Sequence, residues 1–418
     1  MRIIADLHIH SLYSRATSKE MNLATIARVA AIKGINLVGT GDFTHPAHFA
    51  SIEKELTPAE NGLFRLKESA EAPDVRFMLT AEVSNIYKQG DKTRKIHNLL
   101  FAPSLEAARK MNKVFDSKGN IKSDGRPIFG FTATDLLKIV LDSDPDSMLV
   151  PAHAWTPWFS IFGSKSGFDS VEECFGDLSK HIYALETGLS SDPQMNRRVS
   201  SLDSLTLISN SDAHSPGKLG REANVLECDM DYFEVMDIFK TNDTERFIHT
   251  IEFYPEEGKY HADGHRACGV SLTPEQTALV SGICPVCTRP LTVGVLNRVD
   301  ELADRPDDFT SDTTVPARHL VPLIEVVSES LGFGVNSKRV KTEYNRLLAE
   351  GGTEFSILLD KERAELVELA GQRTAEAILR ARSGEISIRS GFDGEFGKVS
   401  LFSTLSQPTP SGAYQTSL

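Results

Sequence analysis

Asp6-Leu7-His8-Ile9-His10 is the stretch from which the rest of the chain is read. Alternate residues of a strand point the same way, so His8 and His10 project together while Leu7 and Ile9 face the opposite side. Two neutral imidazoles next to a carboxylate form half of a metal site. A single His-x-His pair fits an exposed polar strand face equally well. What recurs downstream decides between the two.

Strand-like runs recur at residues 2–5, 35–39, 76–81, 95–101, 147–151, 182–185 and 206–208. Each ends at, carries or leads to a metal-type residue: Asp42 with His45, Glu82, His97, His153, Glu186, and Asp212 with His214. Helical runs lie between them, among them 23–33, followed by the stop residue Gly34, and 136–141. In α/β barrels the active site lies on the C-terminal face of the strands, with polar groups supplied from several strand ends. The pattern therefore predicts an α/β fold in which residues 1–240 form an irregular (β/α) barrel. After His153 comes a loop with both tryptophans of the chain, Trp155 and Trp158, and Phe159. Aromatic rings beside a metal site can stack on a nucleobase; packing as a small hydrophobic cluster beneath the loop stays open.

The chain has 418 residues, 40% apolar and 25% charged, which fits more than one globular domain. No apolar run approaches the ~20 residues of a membrane span. The N-terminus goes straight into a strand, without the apolar core and cleavage site of a signal peptide, so a cytoplasmic location and no membrane contact are expected. The net charge of −13 argues against a wholesale basic nucleic-acid-binding domain, yet leaves room for local basic patches and bound cations facing phosphates.

Of five cysteines, Cys174 and Cys228 stand alone, while Cys268, Cys284 and Cys287 cluster. His265-x-x-Cys268 and Cys284-Pro285-Val286-Cys287 have the spacing of a tetrahedral HisCys₃ structural zinc site, with His261 as a competing histidine. Residues 240–260 read as a connector, 255–297 as a zinc-binding module, and 298–400 as a mainly helical C-terminal domain. Helices are expected at 321–331, 337–350 and 361–382, a Gly-rich and then strand-like run at 389–402, and a disordered tail at 406–418.

The set His8, His10, Gly41-Asp42, His45, Glu82, His97, His153 and Asp212-x-His214 resembles the polymerase and histidinol phosphatase (PHP) family. The resemblance implies a distorted (β/α)7 PHP-type barrel that hydrolyses phosphoesters with divalent metals. It implies that His8, His10, Glu82 and Asp212 hold one metal, and that Glu82 bridges to a second held by His97 and His153. A third would be held by His214 with His45 and Asp42. Glu82, Asp212 and His214 would carry the catalysis. Two departures fall at the third site: Ser14-Arg15-Ala16 stands where the family has an acidic or histidine ligand, and Gly41-Asp42-Phe43 where it often has Thr-Asp-His.

Several longer stretches are similar to the endonuclease Q family: residues 41–46 (GDFTHP), 153–170 (HAWTPWFSIFGSKSGFDS), 186–193 (ETGLSSDP), 259–265 (KYHADGH) and 284–305. That resemblance runs to about residue 400 and implies a DNA-repair endonuclease that cuts 5′ to a deaminated base (hypoxanthine, uracil, xanthine) or an abasic site. It implies Zn2+ in the cysteine module and the barrel, Mg2+ or Mn2+ for activity, and lesion-bearing DNA as partner. A replication sliding clamp and a monomeric state are further expectations. The expected substrate contacts are Trp155, Trp158, Phe159, Lys165, Glu186, Arg197 and Arg198, with Lys338-Arg339-x-Lys341 as a further phosphate-facing cluster; for Glu186, orienting a metal-site histidine from behind stays open as the alternative. Two alternatives stay open at this point: a PHP-family phosphomonoesterase or exonuclease, and a non-catalytic nucleic-acid-binding protein whose barrel has decayed, for which Arg15 is the support.

Overall fold

The strands that carry the site are β1 (Arg2–Asp6), β2 (Leu37–Gly39), β3 (Arg76–Gln89), β4 (Lys92–Ala102), β5 (Met148–Pro151), β6 (Ala184–Glu186), β7 (Thr206–Ile208), β8 (Ala223–Glu227) and β9 (Phe247–Glu252) in the computed structural model. It describes residues 1–68, 71–311 and 314–405; the tail expected at 406–418 lies outside them. β1 pairs in parallel with β2, and β2 with β3. β3 and β4 form a long antiparallel hairpin, and β5 pairs with β4. The parallel pair β6–β7 completes the wall. It joins β5 through Ala154 N donating to Glu186 O (2.9 Å), and β1 through Leu7 N donating to Asn210 Oδ1 (2.8 Å). This is the distorted α/β barrel expected from the strand-end pattern.

Period-two alternation sorts β1 between two cores: Ile3 and Ala5 pack into one, Ile4 into the other. The helix Leu23–Lys33 falls where the periodicity places it, capped by the Asn22 side chain on Thr25 N and stopped by Gly34 at φ 90°.

Two elements differ from expectation. β3 does not stop at Glu82 but continues to Gln89, because the turn at Gly90–Asp91 pairs it with β4 along its length. Residues read as a connector after 240 instead hold β9, antiparallel to β8 and buried except at Ile248. The strand Ala317–His319, from beyond the zinc-type module, pairs in parallel with β9. The barrel sheet thus takes its edge strand from the C-terminal part of the chain.

The cysteine segment has a small core of Val270, Cys284 and Leu291. The hairpin Ser387–Arg389 and Lys398–Ser400 lies on it: Ala262 N donates to Gly391 O (3.0 Å), and Asp393 accepts from Arg266 N and Thr292 Oγ1. The helices Leu323–Leu331, Lys338–Gly351 and Arg363–Ser383 fall within a few residues of the expected ones, the last broken at Gly371. Among the described residues no helix is long and apolar enough to cross a membrane.

Candidate active site

The His-x-His pair follows β1 directly. His10 N donates to Ala213 O (3.0 Å), which lays the pair alongside the segment carrying Asp212. Asp6 is not part of the donor set: its buried carboxylate accepts from Ser211 N (3.0 Å) and Gly220 N (2.8 Å), tying β1 to the loop after β7.

Two groups of donor atoms converge around Glu82, the atoms of each within 4.8 Å of one another: His8, His10, Glu82 and Asp212; and Glu82, His97 and His153. Glu82 serves both. Its Oε2 faces His10 Nε2 (3.1 Å) and His8 Nε2 (3.6 Å), while its Oε1 faces His97 Nδ1 (2.7 Å) and His153 Nε2 (3.1 Å). The buried atoms His8 Nε2, His10 Nε2 and Asp212 Oδ1 have no hydrogen-bond partner. Orphaned buried donors and acceptors are rare in folded proteins. A cluster of imidazole nitrogens and carboxylate oxygens aimed at common points is the donor set divalent ions take.

The histidines are oriented from behind. His8 Nδ1 donates to both oxygens of Glu186 (3.0 and 2.9 Å), whose Oε2 also accepts from His153 N (2.9 Å). His10 Nδ1 donates to Asp42 Oδ1 (3.1 Å). Such carboxylate–histidine pairs set the tautomer and present Nε2 as the ligating atom. Burial opposes charge on His8 and His10, but the surrounding carboxylates, Glu186 with Glu82 on His8 and Asp42 on His10, hold both well above the usual histidine value. Negative charge is thus in excess, as a site for cations requires. For His97 burial prevails and its pKa falls to about 4, leaving the ring neutral. Asp42, His153 and Asp212 sit at positive φ (45°, 32° and 47°), a conformation unfavourable for non-glycine residues.

Residues 322–385 match the family described as the MJ0043 C-terminal domain. The chain is 30% identical to the uncharacterized protein YqxK of Bacillus subtilis over 416 residues, 95% of this chain and 99% of that protein. The lesion-specific endonuclease PfuEndoQ from Pyrococcus furiosus superposes with a TM-score of 0.85 at 33% identity, covering 96% of this chain and 95% of that one. The chain belongs to the endonuclease Q family. A second endonuclease Q structure, in complex with a 27-mer duplex substrate with an abasic lesion at the active site, superposes with a TM-score of 0.83 at 34% identity and covers 96% of each chain.

Within this endonuclease Q fold, the residues expected at a third metal do not converge. Asp42 is buried and saturated: besides His10 it accepts from Ser11 N, Ser11 Oγ and Ser14 Oγ (2.6, 2.6 and 2.9 Å). It is an outer partner of His10 rather than a ligand. His45 is turned away, stacked on Tyr13 (4.6 Å) and donating from Nε2 to Lys122 O (3.1 Å). His214 lies against His10 (4.3 Å between ring centroids) but outside the converging atoms. Arg15 is exposed and pairs with Asp124.

Four expected substrate contacts are corrected. Glu186 is fully buried and occupied by His8, His153 and Asn210, so of its two expected roles it is the orienting of a histidine, not of substrate, that the geometry fits. Trp155 is 1% exposed; its Nε1 donates to Asn196 Oδ1 (2.8 Å) and its ring packs on Phe162, so the hydrophobic-cluster reading holds for it. Arg197 is buried on the carbonyls of Leu202 and Leu205. Arg198 is bound to Asp300 and Asp307 (both 2.7 Å), joining the barrel to the following module. Trp158 and Lys165 are exposed, and Phe159 packs over His97 (4.7 Å). Lys338, Arg339 and Lys341 are exposed on their helix.

A third donor group, outside the barrel, is His265, Cys268, Cys284 and Cys287. His261 stays outside it, buried with Nδ1 unpaired. Arg126, which no sequence motif marks, donates from Nη1 to Glu82 Oε2 (2.9 Å).

Proposed function

We propose that the chain is a metal-dependent endonuclease that hydrolyses the DNA phosphodiester 5′ to a deaminated base or an abasic site. The observation that carries this is Glu82, shared between two converging donor groups, the first of which holds His8 Nε2 and His10 Nε2 buried without partners, in a chain that superposes along its length on lesion-specific endonuclease Q. Two divalent ions sharing a carboxylate would activate a water and neutralise the phosphoryl oxygens. We assign one to His8, His10, Glu82 and Asp212, the other to Glu82, His97 and His153, with Mg2+ or Mn2+ supporting turnover. We assign Zn2+ to His265, Cys268, Cys284 and Cys287, because four protein ligands leave no open position.

The chain's own residues orient and exclude. Glu186 and Asp42 hold the tautomers of His8 and His10. His214 donates Nδ1–H to Asp212 O (2.9 Å), which leaves Nε2 to accept a proton from the attacking water. Burial, reinforced by the nearby His10, keeps that ring's pKa below the ordinary value, as this role requires.

Next to the donors lies a groove of about 520 Å³, walled by Trp158, Phe253, Tyr260, Phe396, Lys218 and Arg221. It adjoins the site on two sides: Thr156 Oγ1 contacts His153 Nδ1 (3.3 Å), and Arg221 Nε donates to Ser211 O (2.8 Å) beside Asp212. Trp158 is 40% exposed and meets Tyr260 edge to face (5.5 Å). An extruded base fits such a walled groove, and a mispaired or damaged base is extruded at a lower energetic penalty. Lys338, Arg339 and Lys341 are further contacts for the duplex backbone.

The test is a duplex carrying one deoxyinosine, incubated with protein that keeps its cysteine-bound zinc and to which Mg2+ or Mn2+ is added. A single nick 5′ to the lesion is expected, with D212N as the inactive control. Equal cutting of undamaged duplex, or release of inorganic phosphate from nucleotides without nicking, overturns the reading.

A further inference from the structure

Arg126 is set into the donor cluster by a backbone fastened on both sides. Before it, Gly125 N donates to Tyr13 O (3.0 Å) and Gly125 O accepts from Thr44 Oγ1 (2.9 Å). A Cβ at Gly125 would lie 2.3 Å from Asp42 Oδ2 and from Ser14 Oγ, so the loop touches the outer layer of the site where only glycine fits. After it, Pro127 O accepts from Ser84 N (3.0 Å), two residues along β3 from Glu82. Asp124 Oδ1 accepts from Arg126 N itself (3.2 Å). This brings the guanidinium onto Glu82 Oε2, the oxygen that faces His8 and His10, within electrostatic reach of Asp212, His97 and His214.

The side chain is 27% exposed. A guanidinium has five N–H donors. Only Nη1 is engaged by the protein; among the described residues Nε and Nη2 have no partner. Arg15, the cation expected here from the sequence, is 75% exposed and pairs outward with Asp124. Arg126 therefore brings a cation to the donor cluster at Glu82, in a site where His45, Asp42 and His214 do not converge on a third metal.

We propose that Arg126 grips a non-bridging oxygen of the scissile phosphate and supplies the positive charge that a third metal would bring. The planar fork suits a tetrahedral oxyanion better than an ammonium does, and a cation held in advance needs no reorganisation when charge develops. The proposal rests on the reading of the barrel as a phosphodiesterase centre.

The test compares wild type, R126Q and R126K, each loaded with Mn2+, in three readouts: bound metal per chain, affinity for inorganic phosphate as the probe, and single-turnover nicking of the deoxyinosine duplex. The expected result is unchanged metal content, phosphate affinity at least about tenfold weaker in R126Q, and a parallel loss of nicking. R126K keeps the charge, guards against a folding failure in R126Q, and should recover only part of the affinity. Phosphate affinity unchanged in R126Q, whatever its metal content, overturns the proposal and leaves Arg126 a holder of Glu82. If wild type itself does not nick, the functional reading fails; if it nicks and R126Q binds phosphate like wild type, only this inference fails.

Discussion

Glu186 shows how much one side chain's surroundings decide. A carboxylate at a strand end facing a cleft contacts substrate; the same carboxylate fully buried behind His8 sets a tautomer. E186Q is expected to weaken barrel metal binding by ~10–100-fold, the usual loss for an outer partner of a ligand, with little change in KM for DNA at saturating metal. Metal titration followed by activity separates the two. Glu252 behaves differently. Burial pushes its carboxyl from 4.5 up to about 8, with Thr187 and Ser209 as hydrogen-bond partners, and the buried Glu222 beside it is also raised. The folded state thus binds the proton more tightly than the unfolded chain. The stability gained is fully present below the ordinary carboxylate range and is lost as pH rises through about 8. Wild-type Tm should fall between pH 6 and pH 9, and E252Q should fall less and exceed wild type at pH 9. Parallel melting curves for the two proteins would refute this.

At the scale of elements, the site is shared between strands and turns: Glu82 and His97 lie within β3 and β4, while the other donors come from turns. β1, β5 and β7 stop short of His8, His153 and Asp212, and these donors project from the turns that follow. Buried outer partners hold these turns in place: Asp6 on Ser211 N, Glu186 on His153 N, and Asp42 on Ser11 N. The cysteine module is an element of another kind. Its core holds only a few apolar side chains around Cys284, too little to stabilise it alone. Binding of zinc to such a set contributes to folding directly. C284S should lose one zinc per chain by metal analysis and lower the melting temperature of the C-terminal half, while Mg2+ or Mn2+ binding in the barrel persists. Retention of that zinc with an unchanged melt would show that the module stands without it.

At the scale of the molecule, the parts are tied by buried arginines. Arg298, 7% exposed on the helix Val295–Leu302, donates to Phe162 O (3.0 Å) and Phe168 O (3.1 Å), and pairs with Asp169 and Glu301. It fastens the start of the C-terminal region to the 154–168 loop that walls the groove. Removing it leaves buried carbonyls unpaired, at about 1–3 kcal/mol each. R298A should lower Tm by several degrees and expose the loop to limited proteolysis, with barrel metal content unchanged. A loop as protease-resistant as in wild type would argue that the module is held by other contacts.

The periodic parts of this protein are legible in its sequence. Alternation marks the strands, the 3.6-residue period with Asn22 and Gly34 marks the first helix, and cysteine spacing marks the donor group outside the barrel. Periodicity and ligand spacing are local, so they survive without the fold. Family resemblance placed Glu82 between two donor groups, and the structure brings those side chains together. What only the tertiary structure decided is which polar residues face inward, and to what. Asp42 and His45 lie three residues apart, yet one is locked behind His10 and the other points to Lys122. Trp155 and Trp158 are equally close in sequence, yet only Trp158 is exposed. Arg126 lies on a loop with no period, far in sequence from every motif, and reaches Glu82 because Gly125 allows the loop to approach Asp42 and Ser14. Such contacts depend on close packing between segments distant in the chain, and no local pattern of residues encodes them.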